Sequence, residues 1–398
     1  ARPRRGAARG GAGRKAGGLA MRHITTTSQI DALIRSGSPV AIGVSGGKDS
    51  DAAAFATVDY LDQLGHVGAR VLIHSDLGRV EWRESLPQCE RLATRLGLEL
   101  IVVRRQSGDM MDRWLTRWAN NVERYINLAC VRLILPWSTA SMRFCTSELK
   151  TAIICRELAR RFPGQTILSV AGIRREESPN RAKAEPMKQQ HKLTRRIGTT
   201  EATSGYDWLP ILDWTRDEVV ALHHERDFPL HEAYATNSRV SCMFCILGSQ
   251  ADLAATTAWE QSHALYREMV DLEIDSTFAF QDAGWLGDLA PHLLSETQRI
   301  QLTNAKLKAA ARERAESAIP AHLLYTKGWP TCMPTAAEAR LLARVRREVG
   351  ALLHLPMRYT DADAVHERYR ELMTEAGREP TEYQGPAHLA QLSFMEAT

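Results

Sequence analysis

No stretch of this chain approaches 18 consecutive apolar residues, so no helix is expected to cross a membrane. Cysteine is scarce and unevenly spaced, with seven residues at positions 89, 130, 145, 155, 242, 245 and 332. That distribution excludes the regular disulfide framework of a small secreted domain. Acidic residues are missing from positions 1–22, which hold seven of the 51 Lys and Arg and none of the 47 Asp and Glu. The formal net charge of +4 therefore comes from this segment, and the rest of the chain is slightly acidic rather than a basic nucleic-acid binder. Residues 1–20 lack the apolar core of a secretory signal, and the expected compartment is cytoplasmic. Residues 1–22 read as a disordered basic tail rich in Gly and Ala, with Met21 as a candidate start.

What is present is ordinary for a globular protein: 44% hydrophobic and 25% charged residues, in a chain long enough for one large domain or two. The informative stretch is Val40-Ala41-Ile42-Gly43-Val44-Ser45-Gly46-Gly47-Lys48-Asp49-Ser50. An apolar run meets a Ser-Gly-Gly turn, and a helix-compatible segment follows to Leu64. Such a junction aims backbone N–H groups and the positive helix end at one spot, which suits a phosphate. Lys48 adds a cation, Ser45 and Ser50 add hydroxyls, and Asp49 is a candidate Mg²⁺ ligand. The usual P-loop is excluded, because Ile42 and Asp49 stand where it needs Gly and Ser/Thr.

Apolar runs then alternate with helix-like stretches. Strands are expected at Val71–His74, Leu98–Val103, Thr166–Ala171 and Trp208–Leu212. Helices are expected at Glu81–Leu96, 109–135, Thr146–Arg161 and Thr215–Arg226. This alternation predicts an α/β fold, a parallel sheet with helices on both faces and ligands at the strand carboxyl ends. The Ser45 turn, Asp76 and Gly172 fall at three such ends. Beyond Leu247 the pattern is helical, near 250–274, 294–316, 335–353 and 361–376. The expected organisation is a basic tail (1–22), a nucleotide-binding α/β domain (23–250) and an α-helical C-terminal region (251–398). Cys89 and Cys155 read as core. His223, His224 and His231 lack metal-site spacing and read as surface or capping residues.

The Ser-Gly-Gly-Lys-Asp-Ser string resembles the signature of the PP-loop ATP pyrophosphatases, which cleave ATP between its α and β phosphates. Further stretches resemble the phosphoadenosine-phosphosulfate reductase (CysH-like) branch of that superfamily, in the family's order. They are His74-Ser75-Asp76-Leu77-Gly78, Arg143-Phe144-Cys145 through Lys150, and Gly172-Ile173-Arg174 through Glu177, Ser178 and Arg181. Pro210-Ile211-Leu212-Asp213-Trp214 and Pro229 through Tyr234, Arg239, Cys242 and Cys245 complete the series. The resemblance implies an adenine-nucleotide alpha-hydrolase-like fold over roughly residues 38–250, with ATP and Mg²⁺ as cofactors. It implies nucleotide contacts from Ser45, Gly46, Gly47, Lys48, Asp49, Ser50, Asp76, Gly172, Arg174 and Glu177. Lys48, Asp49, Arg174 and Arg181 would act on the phosphates.

Two departures narrow the expectation. The reductases carry a nucleophilic cysteine in their C-terminal tail, whereas the last cysteine here is Cys332; reductase activity is not expected. Members with a [4Fe–4S] cluster use a Cys-Cys pair and a later Cys-x-x-Cys. This chain keeps Cys145, Cys242 and Cys245 but has Phe144 in place of the first. A cluster with Cys332, Cys130 or an external fourth ligand, a zinc ion, and free thiols all remain open. Relatives without the reductase tail include DndC-type DNA phosphorothioation proteins and CysH-like accessory proteins of type IV-B CRISPR loci. They imply a nucleic-acid or ribonucleoprotein partner beside the nucleotide substrate; a homodimer is a further expectation. The readings are an ATP pyrophosphatase, a sulfurtransferase acting on nucleic acid through these cysteines, or a non-catalytic nucleotide-sensing subunit.

Overall fold

The computed structural model describes residues 22–194 and 202–381. The expected basic tail thus lies, except for Arg22, outside the described residues. Chain order begins with α1 (Ser28–Arg35), β1 (Val40–Gly43), α2 (Lys48–Gln63) and β2 (Arg70–Asp76). It continues with α3 (Ser85–Leu96), β3 (Glu99–Arg104), α4 (Met110–Ile126), the single turn α5 (Phe144–Thr146) and α6 (Ala152–Arg161). Next come β4 (Thr166–Val170), the short α7 (Pro179–Ala182), β5 (Met187–Gln189), β6 (Ser204–Trp208) and α8 (Arg216–Glu225). The remainder is helical: α9 (Gln250–Thr256), α10 (His263–Ser276), α11 (Glu296–Ser317), α12 (Ala336–Leu353) and α13 (Ala362–Glu375).

The six strands form one sheet in the order β3-β2-β1-β4-β6-β5. All pairings are parallel except that of β5 with β6. Alternation along the strands sorts side chains to two faces. Val40 and Ile42 pack with α1, α2, α3 and α8, while Ala41 packs with Cys155 and Leu158 of α6 and with Phe162 just beyond it. Both faces are covered, and the order in which strands are added to the sheet reverses between β1 and β4. In open α/β sheets a ligand crevice lies at that switch point, outside the strand carboxyl ends.

The helical region shares its cores with the first half of the chain. Trp114 and Trp137 pack with Tyr266, Met269 and Phe280. Tyr125 and Leu128 pack with residues of α12 and α13. Arg346 of α12 is 1% exposed and fastens the two halves together. Its guanidinium donates to the carbonyls of Tyr125 (2.8 Å), Ile126 (2.9 Å) and Tyr359 (3.0 Å). Two of these are the orphan carbonyls at the end of α4.

Four expectations are corrected. The helix expected over 109–135 ends at Ile126, because Leu128 takes a left-handed conformation (φ 49°) that stops it. The helix expected from Thr146 starts as a π-helical segment, Ser147–Thr151, before α6. The strand expected at Trp208–Leu212 instead ends at Trp208, since Ser204–Trp208 carries the pairing with β4. The stretch near 250–274 is two helices, interrupted at Glu260–Ser262. Three elements were not foreseen: α1, the short α7 and the three-residue edge strand β5.

Arg346→Ala should lower folding stability by on the order of 3 kcal/mol, because it removes several buried charge-assisted hydrogen bonds at once. A shift in the urea midpoint without loss of secondary structure at zero denaturant is the expected readout.

Candidate functional site

Gly46 turns the chain after β1 with φ +74°, a conformation glycine adopts without strain. A Cβ there would also lie 2.9 Å from the Ser85 carbonyl oxygen. The turn is closed from within. Ser50 Oγ donates to the Gly47 carbonyl (2.7 Å), and the Ser45 N–H donates to Ser50 Oγ (3.2 Å). Gly47 caps α2 without a side chain. Among the described residues, the backbone N–H groups of Gly46, Gly47 and Asp49 have no acceptor. They sit at the positive end of a 16-residue helix, an arrangement that favours an anion.

Asp49 is the electrostatic hinge of this corner. One carboxylate oxygen accepts from Lys48 Nζ at 2.9 Å and the other from Arg174 Nε at 2.6 Å. Arg174 comes from the chain after β4 and is 4% exposed. Gly172 makes the approach possible: a Cβ at that position would lie 2.3 Å from the Asp49 carbonyl oxygen. Arg174 also pairs with Glu176, and its N–H donates to Glu177 at 2.8 Å. Glu177 in turn pairs with Arg181. The Gly172–Arg181 stretch therefore reaches the loop directly through Arg174 and indirectly through Glu177 and Arg181.

Two contacts escaped the sequence reading. Tyr234 lies over the loop, its hydroxyl accepting from the Lys48 N–H (3.2 Å) and its ring 5.0 Å from Lys48 Nζ. His223 Nε2 donates to the Lys48 carbonyl at 2.9 Å. His223 and His231 are each 2% exposed, so of the surface-or-capping expectation only His224 is at the surface, while His231 caps the turn Glu232–Ala235 by accepting from the Ala233 N–H at 3.1 Å. No spacing rule signals a histidine that serves a backbone carbonyl 175 residues away.

Asp76 occupies the carboxyl end of β2, the strand beside β1. It accepts from the Gly78 N–H (2.7 Å) and pairs with Arg104. It lines a separate cleft of about 470 Å³ that also holds Arg79, Trp82, Met243 and Glu268. Two residues before it, His74 is 1% exposed, with Nδ1 3.0 Å from the Val44 carbonyl and Nε2 3.1 Å from Glu81. Both ring nitrogens face acceptors, which fits the imidazolium. Burial opposes that charge, but Cys89 and Glu81 outweigh it and raise the His74 pKa to about 10.

Cys145, Cys242 and Cys245 share one electrostatic neighbourhood around the Lys150 ammonium. Burial works against the charge of Lys150, and Cys242, Glu81, Cys245 and Cys145 together hold its pKa above the usual value. Lys150 reaches them from the π-helical segment, whose Leu149 carbonyl accepts from Ser75 Oγ (2.6 Å) and whose Ser147 carbonyl accepts from Lys192 Nζ (2.7 Å). Burial pushes the Cys242 thiol up to about 12, so it is protonated at neutral pH and its share of the support for Lys150 appears only once it ionises. Cys145 sits in the first turn, α5, of a helical run that continues through the π-helical segment into α6 and ends at Arg161. Among the described residues, no group of three or more His, Cys, Asp or Glu side chains is arranged to hold a metal ion. Cys130 and Cys332, the candidate fourth ligands, belong to a different core, formed with α12 and α13.

A model of the phosphoadenosine phosphosulfate reductase domain matches residues 39–247, more than half of the chain. The chain belongs to this family, a branch of the PP-loop superfamily. The match runs from the residue before β1 to just beyond Cys245, so it contains the loop, the Gly172–Arg181 stretch and the three cysteines. No curated protein matches the chain by sequence. Among solved structures, the chain is similar to the U34-tRNA thiolase NcsA from Methanococcus maripaludis with its [4Fe–4S] cluster. That likeness has 13% identity and a TM-score of 0.26, over 59% of this chain and 72% of that one. It is also similar to the NH3-dependent NAD synthetase from Campylobacter jejuni, with 15% identity and a TM-score of 0.28, over 73% of this chain and 95% of that one. Among the described residues no helix is long and apolar enough to cross a membrane.

The raised His74 pKa carries a sign. A histidine protonated in the fold up to about pH 10, against about 6.5 when unfolded, adds stability that is complete below pH 6.5 and lost as pH rises towards 10. Glu81→Gln removes its counter-ion. Its cost, read from denaturant midpoints, should be largest at pH 6 and shrink steadily towards pH 10; a cost independent of pH would contradict the charge assignment.

Proposed function

We propose that the chain binds ATP at the Ser45–Ser50 turn and cleaves it at the α phosphate, giving AMP and pyrophosphate or an adenylylated acceptor. The observation that carries this reading is the unsatisfied cradle of Gly46, Gly47 and Asp49 amides, flanked by Lys48 and Arg174. In this reading the amides and Lys48 hold the leaving phosphates, and Arg174 and Arg181 grip non-bridging oxygens through their forked donors. Their positive charge offsets the charge that develops on pyrophosphate as it departs. Asp76 is the carboxylate available at the neighbouring strand end.

Asp49 fits a Mg²⁺ ion that arrives with the nucleotide. Magnesium commonly takes one or two protein carboxylates and completes its shell with phosphate oxygens and water. Asp49 has lone pairs beyond the two engaged by Lys48 and Arg174. The ion would supply charge neutralisation at the phosphates.

A second reading, sulfur transfer to an acceptor, rests on the gathering of Cys145, Cys242 and Cys245 around Lys150. The residues present do not complete a [4Fe–4S] ligand set, because Phe144 takes the place of one cysteine and Cys130 and Cys332 lie in another core. A cluster on Cys145, Cys242 and Cys245 would therefore need a fourth ligand from outside the chain; on free thiols instead, Cys242 would need to lose its proton first. A third reading, nucleotide sensing without turnover, predicts binding and no product.

Incubation with ATP and Mg²⁺ should yield AMP and pyrophosphate, or an adenylylated acceptor; ADP and phosphate as main products would overturn the reading. Lys48→Ala should weaken nucleotide binding by about 1.5–3 kcal/mol, roughly ten- to a hundredfold. An unchanged affinity would move the nucleotide elsewhere.

Thioredoxin-dependent release of sulfite from phosphoadenylyl sulfate should not be detectable. The last cysteine, Cys332, is 2% exposed in the helical core, and burial raises its pKa. Sulfite release that disappears in Cys332→Ser would show the opposite.

A further inference from the structure

A cavity of about 730 Å³ lies away from the nucleotide loop, between α2, α8 and the strap of chain leading into α1. The two sites share α2. Tyr60, on the cavity wall, is twelve residues beyond Lys48, or about 18 Å at the rise of an α-helix.

The walls are built by long-range hydrogen bonds. Trp214 Nε1 donates to the His23 carbonyl (2.9 Å), Trp208 Nε1 to the Thr25 carbonyl (2.8 Å), and the Thr25 N–H to the Pro210 carbonyl (2.8 Å). These bonds fix the strap. The Tyr60 hydroxyl donates to Asp31 at 2.8 Å, which fixes its ring. Ile24, Ala56 and Leu222 complete an apolar surface beside Trp214 and Tyr60.

Charge on the rim is unbalanced. Arg22 pairs with Glu225 at 2.5 Å, and Arg226 pairs with Asp59. Arg95, also on the rim, has no ion-pair partner among the described residues and donates only to the Arg226 carbonyl, at 3.0 Å. Three guanidinium groups therefore face two carboxylates. The volume falls within the roughly 300–1,000 Å³ typical of small-molecule sites, which combine apolar walls with a few placed polar groups.

We propose that this cavity binds a small aromatic monoanion, with its ring against the Trp214–Tyr60 wall and its anionic group on Arg95. The proposal is independent of the reaction assigned to the nucleotide loop.

The probe is 8-anilinonaphthalene-1-sulfonate, an aromatic monoanion whose fluorescence rises in apolar surroundings. Its uncharged analogue, N-phenyl-1-naphthylamine, serves as control. The expected result is saturable binding of one sulfonate probe per folded chain, with the uncharged analogue clearly weaker. Arg95→Glu should weaken the sulfonate about tenfold, the loss of one charge-assisted contact, and leave the analogue unchanged. Gln63→Trp, a rim substitution at an exposed position that fills space, should weaken both. Thermal unfolding midpoints close to that of the parent would establish that both variants are folded. Absence of saturable binding, or binding unaffected by both substitutions, would overturn the proposal.

Discussion

The carboxylate of Asp49 is the interaction on which the functional corner depends. It stands at the start of α2 and accepts from Lys48 beside it and from Arg174 after β4. A buried arginine is costly unless paired, so this bond both permits and fixes the path of the chain beyond β4. The approach is close enough that only glycine fits at position 172. Two further segments then lock the same turn, Tyr234 through the Lys48 N–H and His223 through the Lys48 carbonyl. Four segments of chain thus meet at one loop, and the amides left over point to an anion.

The cysteine cluster depends on a different constraint. Lys150 reaches it from a π-helical segment, an irregular backbone whose Leu149 and Ser147 carbonyls also accept from Ser75 and Lys192. Segments of this kind are rare and recur at functional sites. The cluster combines a retained positive charge with a thiol that burial keeps protonated. The two effects oppose one another: the ammonium favours thiolate, and burial disfavours it. Cys242 is therefore an uncharged thiol at neutral pH.

Much of the α/β half was legible because its signals are local. The apolar run of β1, the glycine turn and the helix after it each follow from neighbouring residues, and Cys89 and Cys155 lie in the core as their helical positions implied. The misreadings came where distant pairing decided the outcome. Ser204–Trp208 is too polar to read as a strand, yet β4 supplies a full parallel partner. Residues 127–135 carry helical residue types, yet Arg346 takes the carbonyls at the end of α4 and Leu128 turns the chain away.

The sequence by itself determined the strand–turn–helix junction, the alternation that covers both faces of the sheet, and the motif order that marks the family, because each is written in residues close together. Tertiary structure alone decided that Arg174 meets Asp49, that His223 and Tyr234 hold Lys48, and that Cys130 and Cys332 lie apart from the other cysteines. These are contacts between segments far apart in the chain, set by the switch in strand order between β1 and β4 and by the helical cores. No local pattern encodes which buried donor will find which carbonyl; the requirement that every buried polar group find a partner does.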